Sequence, residues 1–228
     1  VIFDSARKTF RNEIYSDYKA NRTEAPDDLA PQFDYIRKSV LAFNLPSVEL
    51  INYEADDLIA TYVDQILKIG GKVTIVSSDK DLMQLYKKNV RIYDPMKNKF
   101  ISDEDIIKKF GVNSNKVIDV QALAGDSSDN VPGVPGIGVK TAAELINKYG
   151  NLEKLLKSAN EIKQNKRRET LIENKDKAIV SKKLVTLKKD VPVKENLNSF
   201  IFKNVNRQNL FNFLREMEFN RLLSQAIS

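Results

Sequence analysis

Three carboxylates lie within four residues, in the segment Glu54-Ala55-Asp56-Asp57. Apolar residues follow at the spacing of one helix face, and the short apolar segment before them is typical of a strand. The carboxylates therefore lie where a strand passes into a helix, with Glu54 and Asp57 one turn apart. Like charges this close repel, and burial raises their pKa values unless a cation keeps them ionised. The simpler alternative is that acidic residues in a first helical turn favour the helix dipole.

Further carboxylates follow predicted strands or open the second half of the chain. The full candidate set of metal ligands is Asp4, Glu54, Asp56, Asp57, Asp79, Asp81, Asp126 and Asp129. In open α/β sheets the carboxyl ends of the strands share the edge where ligands bind. Oxygen donors of this kind favour Mg²⁺ or Mn²⁺. Two such ions, ~3.5–4 Å apart, support in-line displacement at a phosphoryl group.

Histidine and cysteine are both absent from the 228 residues. Their absence excludes Ser-His-Asp catalysis, thiol chemistry, disulfides and zinc sites built from those residues. A reducing, cytoplasmic location is the default expectation. No apolar segment approaches the ~20 residues of a membrane span, so no membrane partner is expected.

The net charge of +6 is unevenly distributed along the chain. Residues 1–138 contain 18 basic and 21 acidic residues, whereas residues 139–228 contain 19 and 10. An acidic first part followed by a basic second part is typical of a cation site beside the path of a polyanion. A Lys-rich surface that serves only solubility is the simpler explanation.

Basic and aromatic residues alternate between residues 5 and 26, where apolar periodicity is weak. Such a mixture suits phosphate neutralisation and base stacking, although a solvated face has the same composition. The basic residues of this segment are Arg7, Lys8, Arg11, Lys19 and Arg22, and the aromatic residues between them are Phe10, Tyr15 and Tyr18.

The order of predicted elements indicates an α/β fold. A core-facing helix is expected from Leu29 to Phe43. Strands are expected at residues 1–3, 48–51 and 72–76, with the helix after Glu54 joining the last two in a parallel βαβ arrangement. Residues 90–101 read as an edge hairpin, and helices follow. We therefore expect a mostly parallel central sheet flanked by helices in residues 1–112, and a helical region in residues 113–228.

Four of the eight glycines fall between residues 125 and 138, ahead of Val139-Lys140-Thr141. A glycine turn that leads into a helix exposes backbone N–H groups to an anion. The segment is neither a Walker A loop nor a dinucleotide fingerprint, because Val139 and Thr141 break those patterns. It suits contact with one phosphodiester strand, although a plain tight turn is an alternative. The candidate contacts are Gly133, Gly136, Ile137, Gly138, Lys140 and Thr141.

Taken together, these motifs resemble the 5′-nuclease, or flap endonuclease, family, most closely the 5′-3′ exonuclease domain of bacterial DNA polymerase I. The segments that carry the resemblance occur in family order across residues 1–150. They are Val1-Ile2-Phe3-Asp4, Phe10-Arg11, residues 18–22, residues 53–57, residues 78–82, Gly125-Asp126, Ser128-Asp129-Asn130 and residues 133–142.

The resemblance implies a PIN-like nuclease core and a helix–three-turn–helix motif, a helix-hairpin-helix type of DNA-binding element, at residues 133–141. The eight carboxylates would hold two or more Mg²⁺ or Mn²⁺ ions, and the motif would hold K⁺. Arg11, Lys19 and Arg22 would lie on an arch, about residues 5–26, over the scissile phosphate. Tyr15 and Tyr18 would stack on a nucleobase. The implied activity is 5′-3′ exonuclease and flap-endonuclease cleavage of DNA with 5′ flaps, nicks or branched junctions, and of RNA primers, in replication and repair.

One departure from the family pattern concerns the start of the chain. The family has a further strand with another metal-site Asp before residue 1, so we expect an N-terminal segment to be missing and activity to be impaired. A covalently linked polymerase domain is a further expected partner. Two rival functions remain: a haloacid-dehalogenase-like phosphatase with Asp79 as nucleophile, and a catalytically silent DNA-binding module.

Overall fold

Helices form most of the regular structure in the computed structural model, which describes residues 1–227. The first half contains α1 (Arg11–Ile14), α2 (Gln32–Ala42), α3 (Ala55–Lys68), β1 (Val73–Val76), β2 (Val90–Asp94), β3 (Lys99–Phe100) and α4 (Asp103–Phe110). The second half contains α5 (Val117–Ala124), α6 (Val139–Tyr149), α7 (Leu152–Lys157), α8 (Asn165–Glu173), α9 (Lys175–Val185), α10 (Arg207–Glu216) and α11 (Asn220–Ile227).

The sheet has three strands in the order β1-β2-β3. β1 and β2 are parallel, with Val73 opposite Val90 and Val76 opposite Tyr93, and β3 returns antiparallel to β2. The predicted strand at residues 72–76 and the predicted hairpin are therefore confirmed. The sheet places the segment after β1, which carries Asp79 and Asp81, at the carboxyl end of a parallel strand, the edge where ligands bind in α/β folds.

The predicted strands at residues 1–3 and 48–51 are wrong. Ile2 and Val48 form one isolated parallel bridge, and Val1 is 52% exposed. The backbone bonds there run from Phe3 N–H to the Val48 carbonyl and from Val48 N–H to the Val1 carbonyl. A single rung with an exposed end does not build a buried strand, so the predicted βαβ unit lacks its first strand among the described residues.

The helix α3 begins where the acidic motif predicts it. Its first turn is closed by a capping box, in which the Asp57 side chain accepts the Glu54 N–H and the Glu54 side chain receives the Asp57 N–H. Leu58 and Val63 lie on its buried face. The helix ends before Gly70, whose φ of 78° lies in the left-handed region.

The predicted helix at residues 29–43 is present as α2, but its expected core-facing side is wrong. Phe33 and Ile36 are 44% and 47% exposed, and only Val40 and Ala42 are buried. The reason is that α2 packs on α10 near its C-terminal end, through Ala42, which leaves the side chains of its N-terminal turns exposed.

The main apolar core crosses the predicted domain boundary at residue 112. It runs from Ala60 in α3 through β1 and β2 to Leu187, and it includes Val112 and Val117 on either side of that boundary. The sheet and the second-half helices thus share one core, which fixes the position of the residues between them. Within residues 1–227, no helix combines the length and apolar character needed to cross a bilayer.

Gly111, at the C-terminal end of α4, lies against Ala143 of α6, and replacing it tests this contact. Its φ is 70°, and a Cβ atom there would lie 2.6 Å from the Ala143 Cβ. We expect Gly111→Ala to lower the free energy of unfolding by about 2–4 kcal/mol, from backbone strain plus overpacking. Chemical denaturation measures this loss.

Gly70→Ala is the matched control, because Gly70 has a similar φ but no atom within 4 Å of the added Cβ. We expect the control to show only the strain contribution of about 1–2 kcal/mol. Equal losses in the two variants would contradict the close packing of α4 on α6.

Candidate active site

Carboxylates from four separate segments line one pocket with a cavity volume of about 100 Å³. Seven of the eight predicted ligands are on its wall: Asp4, Glu54, Asp56, Asp79, Asp81, Asp126 and Asp129. The eighth, Asp57, does not line it and is fully buried. The pocket also receives three cationic residues of the predicted set, Arg11, Lys19 and Arg22.

The start of α3 supplies two of the pocket carboxylates, Glu54 and Asp56. Asp4 lies beside them, since its carboxylate accepts the Ala55 N–H at 2.7 Å. The isolated bridge between Ile2 and Val48 therefore still brings Asp4 to the acidic turn, although no strand forms.

The turn after β1 supplies Asp79 and Asp81. Ser77 Oγ accepts the Asp79 N–H at 3.1 Å, and the Asp79 carboxylate in turn accepts the Asp81 N–H at 2.8 Å. Gln121 of α5 donates to Asp81 at 2.6 Å and is itself buried. Sequence reasoning missed Gln121, and a polar residue inside the apolar stretch of α5 was the available signal.

The turn at residues 125–131 supplies Asp126 and Asp129. The Asp126 carboxylate accepts hydrogen bonds from the Ser128 N–H and hydroxyl, and it pairs with Lys80 at 2.5 Å. Burial alone would raise the pKa of Asp126, but the bonds from Lys80 and Ser128 outweigh burial and lower it. Lys80 lies within the family-like segment of residues 78–82 but is not among the predicted site residues.

Lys19 and Arg22 neutralise two other carboxylates of the pocket, Glu54 and Asp129. The Lys19 ammonium lies 2.7 Å from Glu54 and 3.8 Å from Asp129, and Arg22 pairs with Asp129. Lys19 adopts a left-handed φ of 57°, and its N–H donates to the Asp129 carbonyl. These contacts hold residues 19–22 against the turn at Asp129.

The remaining carboxylates have no such neutralisation. Within residues 1–227, Asp4, Asp56, Asp79 and Asp81 form no ion pair with a lysine or arginine. Burial, together with the charges of Asp79 and Asp81, raises the pKa of Asp56 to about 8. Burial and Asp79 also raise the pKa of Asp81 to about 6, against the bond from Gln121.

The carboxylates of the pocket do not form a compact ligand cluster. Within the described residues, no three acidic side chains are grouped tightly enough to hold one. The ammonium and guanidinium groups of Lys19, Lys80 and Arg22 lie among the carboxylates of Glu54, Asp126 and Asp129. The cationic side chains thus occupy positions that suit positive charge.

The expected position of Arg11 on an open arch is wrong, because the side chain is 1% exposed and pairs with the buried Asp57 at 2.6 and 2.8 Å. The ring of Tyr18 is likewise buried, against Val131 and Leu184, which leaves no open face for a nucleobase. Tyr15 packs partly buried against the same cluster. The Tyr18 hydroxyl instead lies 3.3 Å from Asp129.

The glycine-rich turn has a buried side and an open side. Gly133 packs against Gly125, where a Cβ atom would collide with backbone, and its N–H donates to Ser181 Oγ at 2.9 Å. Ile137 is 5% exposed and belongs to the core. On the open side, a Cβ atom added at Gly136 or Gly138 would have no neighbour within 4 Å.

The helix α6 begins at Val139, so Lys140 and Thr141 lie in its first turn, with Lys140 exposed and Thr141 half-buried. A shallow surface pocket next to the turn is lined by Gly136 together with Lys166 and Arg167 of α8. Sequence reasoning did not connect α8 with the turn, because the two are about thirty residues apart in the chain.

Comparison with protein families accounts for nearly all of the chain. A model described as "5'-3' exonuclease, N-terminal resolvase-like domain" matches residues 1–111, and one described as "5'-3' exonuclease, C-terminal SAM fold" matches residues 112–208. The chain belongs to the 5′-3′ exonuclease family. The predicted family and fold class are thereby confirmed, and the phosphatase alternative is wrong.

Relatives within the 5′-3′ exonuclease family include longer polymerases and separate exonucleases. A DNA polymerase I of Rhizobium leguminosarum is 54% identical over 97% of this chain, which spans 22% of that relative. A 5'-3' exonuclease of Buchnera aphidicola is 38% identical over 94% of this chain and 77% of its own length. A flap endonuclease of bacteriophage T5, solved with DNA and metal ions, is 25% identical with a TM-score of 0.71, covering 82% of this chain and 73% of that one.

The raised pKa of Asp56 predicts that this residue destabilises the chain at alkaline pH when divalent ions are removed by chelation. In the unfolded chain the Asp56 carboxyl has a pKa of about 3.9, whereas in the folded chain its pKa is about 8. The folded state therefore binds more protons between these values, and stability falls as pH rises through that window. We expect Asp56→Asn to raise the free energy of unfolding by roughly 1–3 kcal/mol at pH 8.5 and by little at pH 4.

The control is Asp64→Asn on the same helix, where Asp64 pairs with Lys68 at the surface. We expect no increase in the free energy of unfolding at pH 8.5 in this control. A gain for Asp56→Asn that does not grow with pH would contradict the charge crowding at Asp56.

Proposed function

We propose that this chain is a divalent-metal-dependent 5′-3′ exonuclease and structure-specific 5′-flap endonuclease acting on DNA. The single observation that supports this function most strongly is the convergence of seven carboxylates on one pocket in a chain of the 5′-3′ exonuclease family. Relatives named DNA polymerase I support a role as the N-terminal part of such a polymerase, in replication and repair.

The donor set fits Mg²⁺ or Mn²⁺, in two or more positions. The seven acidic side chains of the pocket offer carboxylate oxygens, and the raised pKa of Asp56 marks an excess of negative charge that divalent cations would relieve. Asp4, Asp56, Asp79 and Asp81 would hold one position, while Glu54, Asp126 and Asp129 would contribute after their cationic partners move. Bound ions of this kind supply the Lewis acidity that phosphodiester hydrolysis requires.

Lys19, Arg22 and Lys80 are suited to exchange partners during the reaction. Each pairs with a pocket carboxylate in the structure. Once free of these carboxylates, Lys19, Arg22 and Lys80 would contact the scissile phosphate and stabilise its developing charge. Tyr18 would orient Glu54 and Asp129 through its hydroxyl rather than stack on a base.

The open side of the glycine turn suits the phosphodiester backbone of the duplex. Gly136 and Gly138 leave the backbone accessible, α6 presents its N-terminus there, and Lys140 adds an exposed charge. Lys166 and Arg167 extend this basic surface. We further propose K⁺ at this turn, RNA primers among the substrates and a bacterial cytoplasmic location, all on the strength of the family resemblance.

A DNA-binding module without catalysis is the second candidate function. It is favoured by the absence of a preformed metal cluster within residues 1–227 and by the ion pairs that tie Glu54, Asp126 and Asp129 to cations. Cleavage measurements decide between the two functions.

Substitution of the acidic wall tests catalysis separately from binding. We expect Asp79→Asn and Asp126→Asn each to lower cleavage of a 5′-flap DNA in Mg²⁺ by about 100-fold or more, because each loses an anionic donor. DNA affinity, measured by gel shift in Ca²⁺, should change by less than about threefold.

The Asp64→Asn variant is again the control, since its carboxylate lies on α3 outside the pocket. Undiminished turnover in Asp79→Asn would refute the metal assignment. Binding by the unsubstituted chain with no cleavage in Mg²⁺ or Mn²⁺ would instead support the catalytically silent module.

The glycine turn is tested by removing its exposed charge. We expect Lys140→Ala to weaken duplex binding equally across sequences and to reduce the slope of log affinity against log salt by about 1, since one phosphate contact is lost. Lys108→Ala, an exposed lysine of α4, is the control. The same salt slope for Lys140→Ala and the unsubstituted chain would show that Lys140 does not contact the duplex.

A further inference from the structure

Asp57 uses all of its hydrogen-bonding capacity inside the protein. Its Oδ1 accepts from Arg11 Nη2 at 2.8 Å and from the Lys188 N–H at 2.8 Å. Its Oδ2 accepts from Arg11 Nη1 at 2.6 Å and from the Glu54 N–H at 3.2 Å. A carboxylate offers about four lone-pair sites, so Asp57 has none left for a metal ion.

Arg11 connects that carboxylate to the end of α9. Its Nε donates to the Leu184 carbonyl at 2.7 Å and its Nη2 donates to the Thr186 carbonyl at 3.2 Å. The last carbonyls of a helix lack partners within the helix, and an arginine satisfies them well. Arg11 therefore ties the start of α3 to the end of α9.

The two segments joined in this way both line the pocket. Glu54 and Asp56 come from the start of α3, while Leu184, Val185 and Leu187 come from the end of α9 and the residues after it. Neighbouring helix positions point about 100° apart, so anchoring Asp57 in the interior turns Asp56 toward the pocket.

We propose that Arg11 and Asp57 are positioning residues, which fix the acidic turn of α3 against residues 184–188 and so set the spacing of the carboxylates that hold the divalent ions. This inference rests on the proposed nuclease function and assigns both residues a role different from direct catalysis or metal ligation. A buried ion pair is weak evidence for stability, because apolar replacements often stabilise as well. We therefore assign the Arg11–Asp57 pair a role in positioning the acidic turn of α3 rather than in stabilising the fold.

The test is Mn²⁺ affinity, measured from the electron paramagnetic resonance signal of free Mn²⁺ during titration of the unsubstituted chain and of Arg11→Gln. Removing a cation 3.8 Å from Glu54 should tighten Mn²⁺ binding if only charge matters. Loss of positioning predicts the opposite sign, a weakening by about 10-fold or more. Circular dichroism and thermal unfolding establish that the variant is folded.

Arg11→Lys and Asp57→Asn provide two further variants. Lysine keeps the charge but loses the bidentate contact, and asparagine keeps the shape but loses one acceptor oxygen, so we expect both to weaken Mn²⁺ binding. Asp119→Asn is the matched control, because it breaks the partly buried pair with Lys182 outside the pocket. We expect it to lower stability and leave Mn²⁺ affinity unchanged.

Three results would overturn the inference. Unchanged or tighter Mn²⁺ binding in a folded Arg11 variant would remove the positioning role. A lower kcat with unchanged Mn²⁺ affinity would make Arg11 a direct contact to the substrate. A weaker affinity in Asp57→Asn alone, with both Arg11 variants normal, would make Asp57 a ligand. Failure of the proposed function would show separately, as absent Mn²⁺ binding and cleavage in the unsubstituted chain.

Discussion

Electrostatic repulsion among seven carboxylates in one pocket is the constraint on which the rest of this structure depends. The protein relieves part of that repulsion with its own cations, since Lys19, Arg22 and Lys80 each pair with a pocket carboxylate. The relief is incomplete around Asp56, whose pKa remains raised to about 8. A pocket whose folded state retains unfavourable repulsion between carboxylates is suited to binding cations from solution.

The same constraint explains why polar contacts between distant segments are concentrated around the pocket. Carboxylates that repel one another stay together only when the segments carrying them are anchored elsewhere. Arg11 joins α3 to the end of α9, Gln121 holds Asp81 from α5, and Ser181 holds the turn at Gly133. Behind these contacts, one apolar core extends from α3 to Leu187 and leaves the backbone of the pocket little freedom to separate.

The division between a sheet and a helical region matters less than the sequence suggests. The sheet has three short strands, and the helices α5 and α9 make the most extensive packing in the molecule. Asp81 and its hydrogen-bond partner Gln121 lie on opposite sides of residue 112 in the sequence. So do Glu54 and Asp129, which both contact the ammonium of Lys19. The pocket therefore belongs to both halves of the chain.

The sequence by itself determined the features that depend on neighbouring residues. The start of α3, the strand β1, the hairpin and the glycine turn follow from local spacing, and the lack of histidine and cysteine restricts the donors to oxygen. Local spacing failed where an element needed a distant partner, as at residues 1–3, 48–51 and the exposed side of α2.

Only the tertiary structure decided the roles of adjacent, chemically identical residues. Asp56 faces the pocket and Asp57 is buried on Arg11, a residue 46 positions away in the chain. Arg11 itself lies in the interior because its other partners are 173 and 175 positions away. Residue type and spacing set what a side chain can bind, but its direction depends on groups that folding brings close from far along the chain.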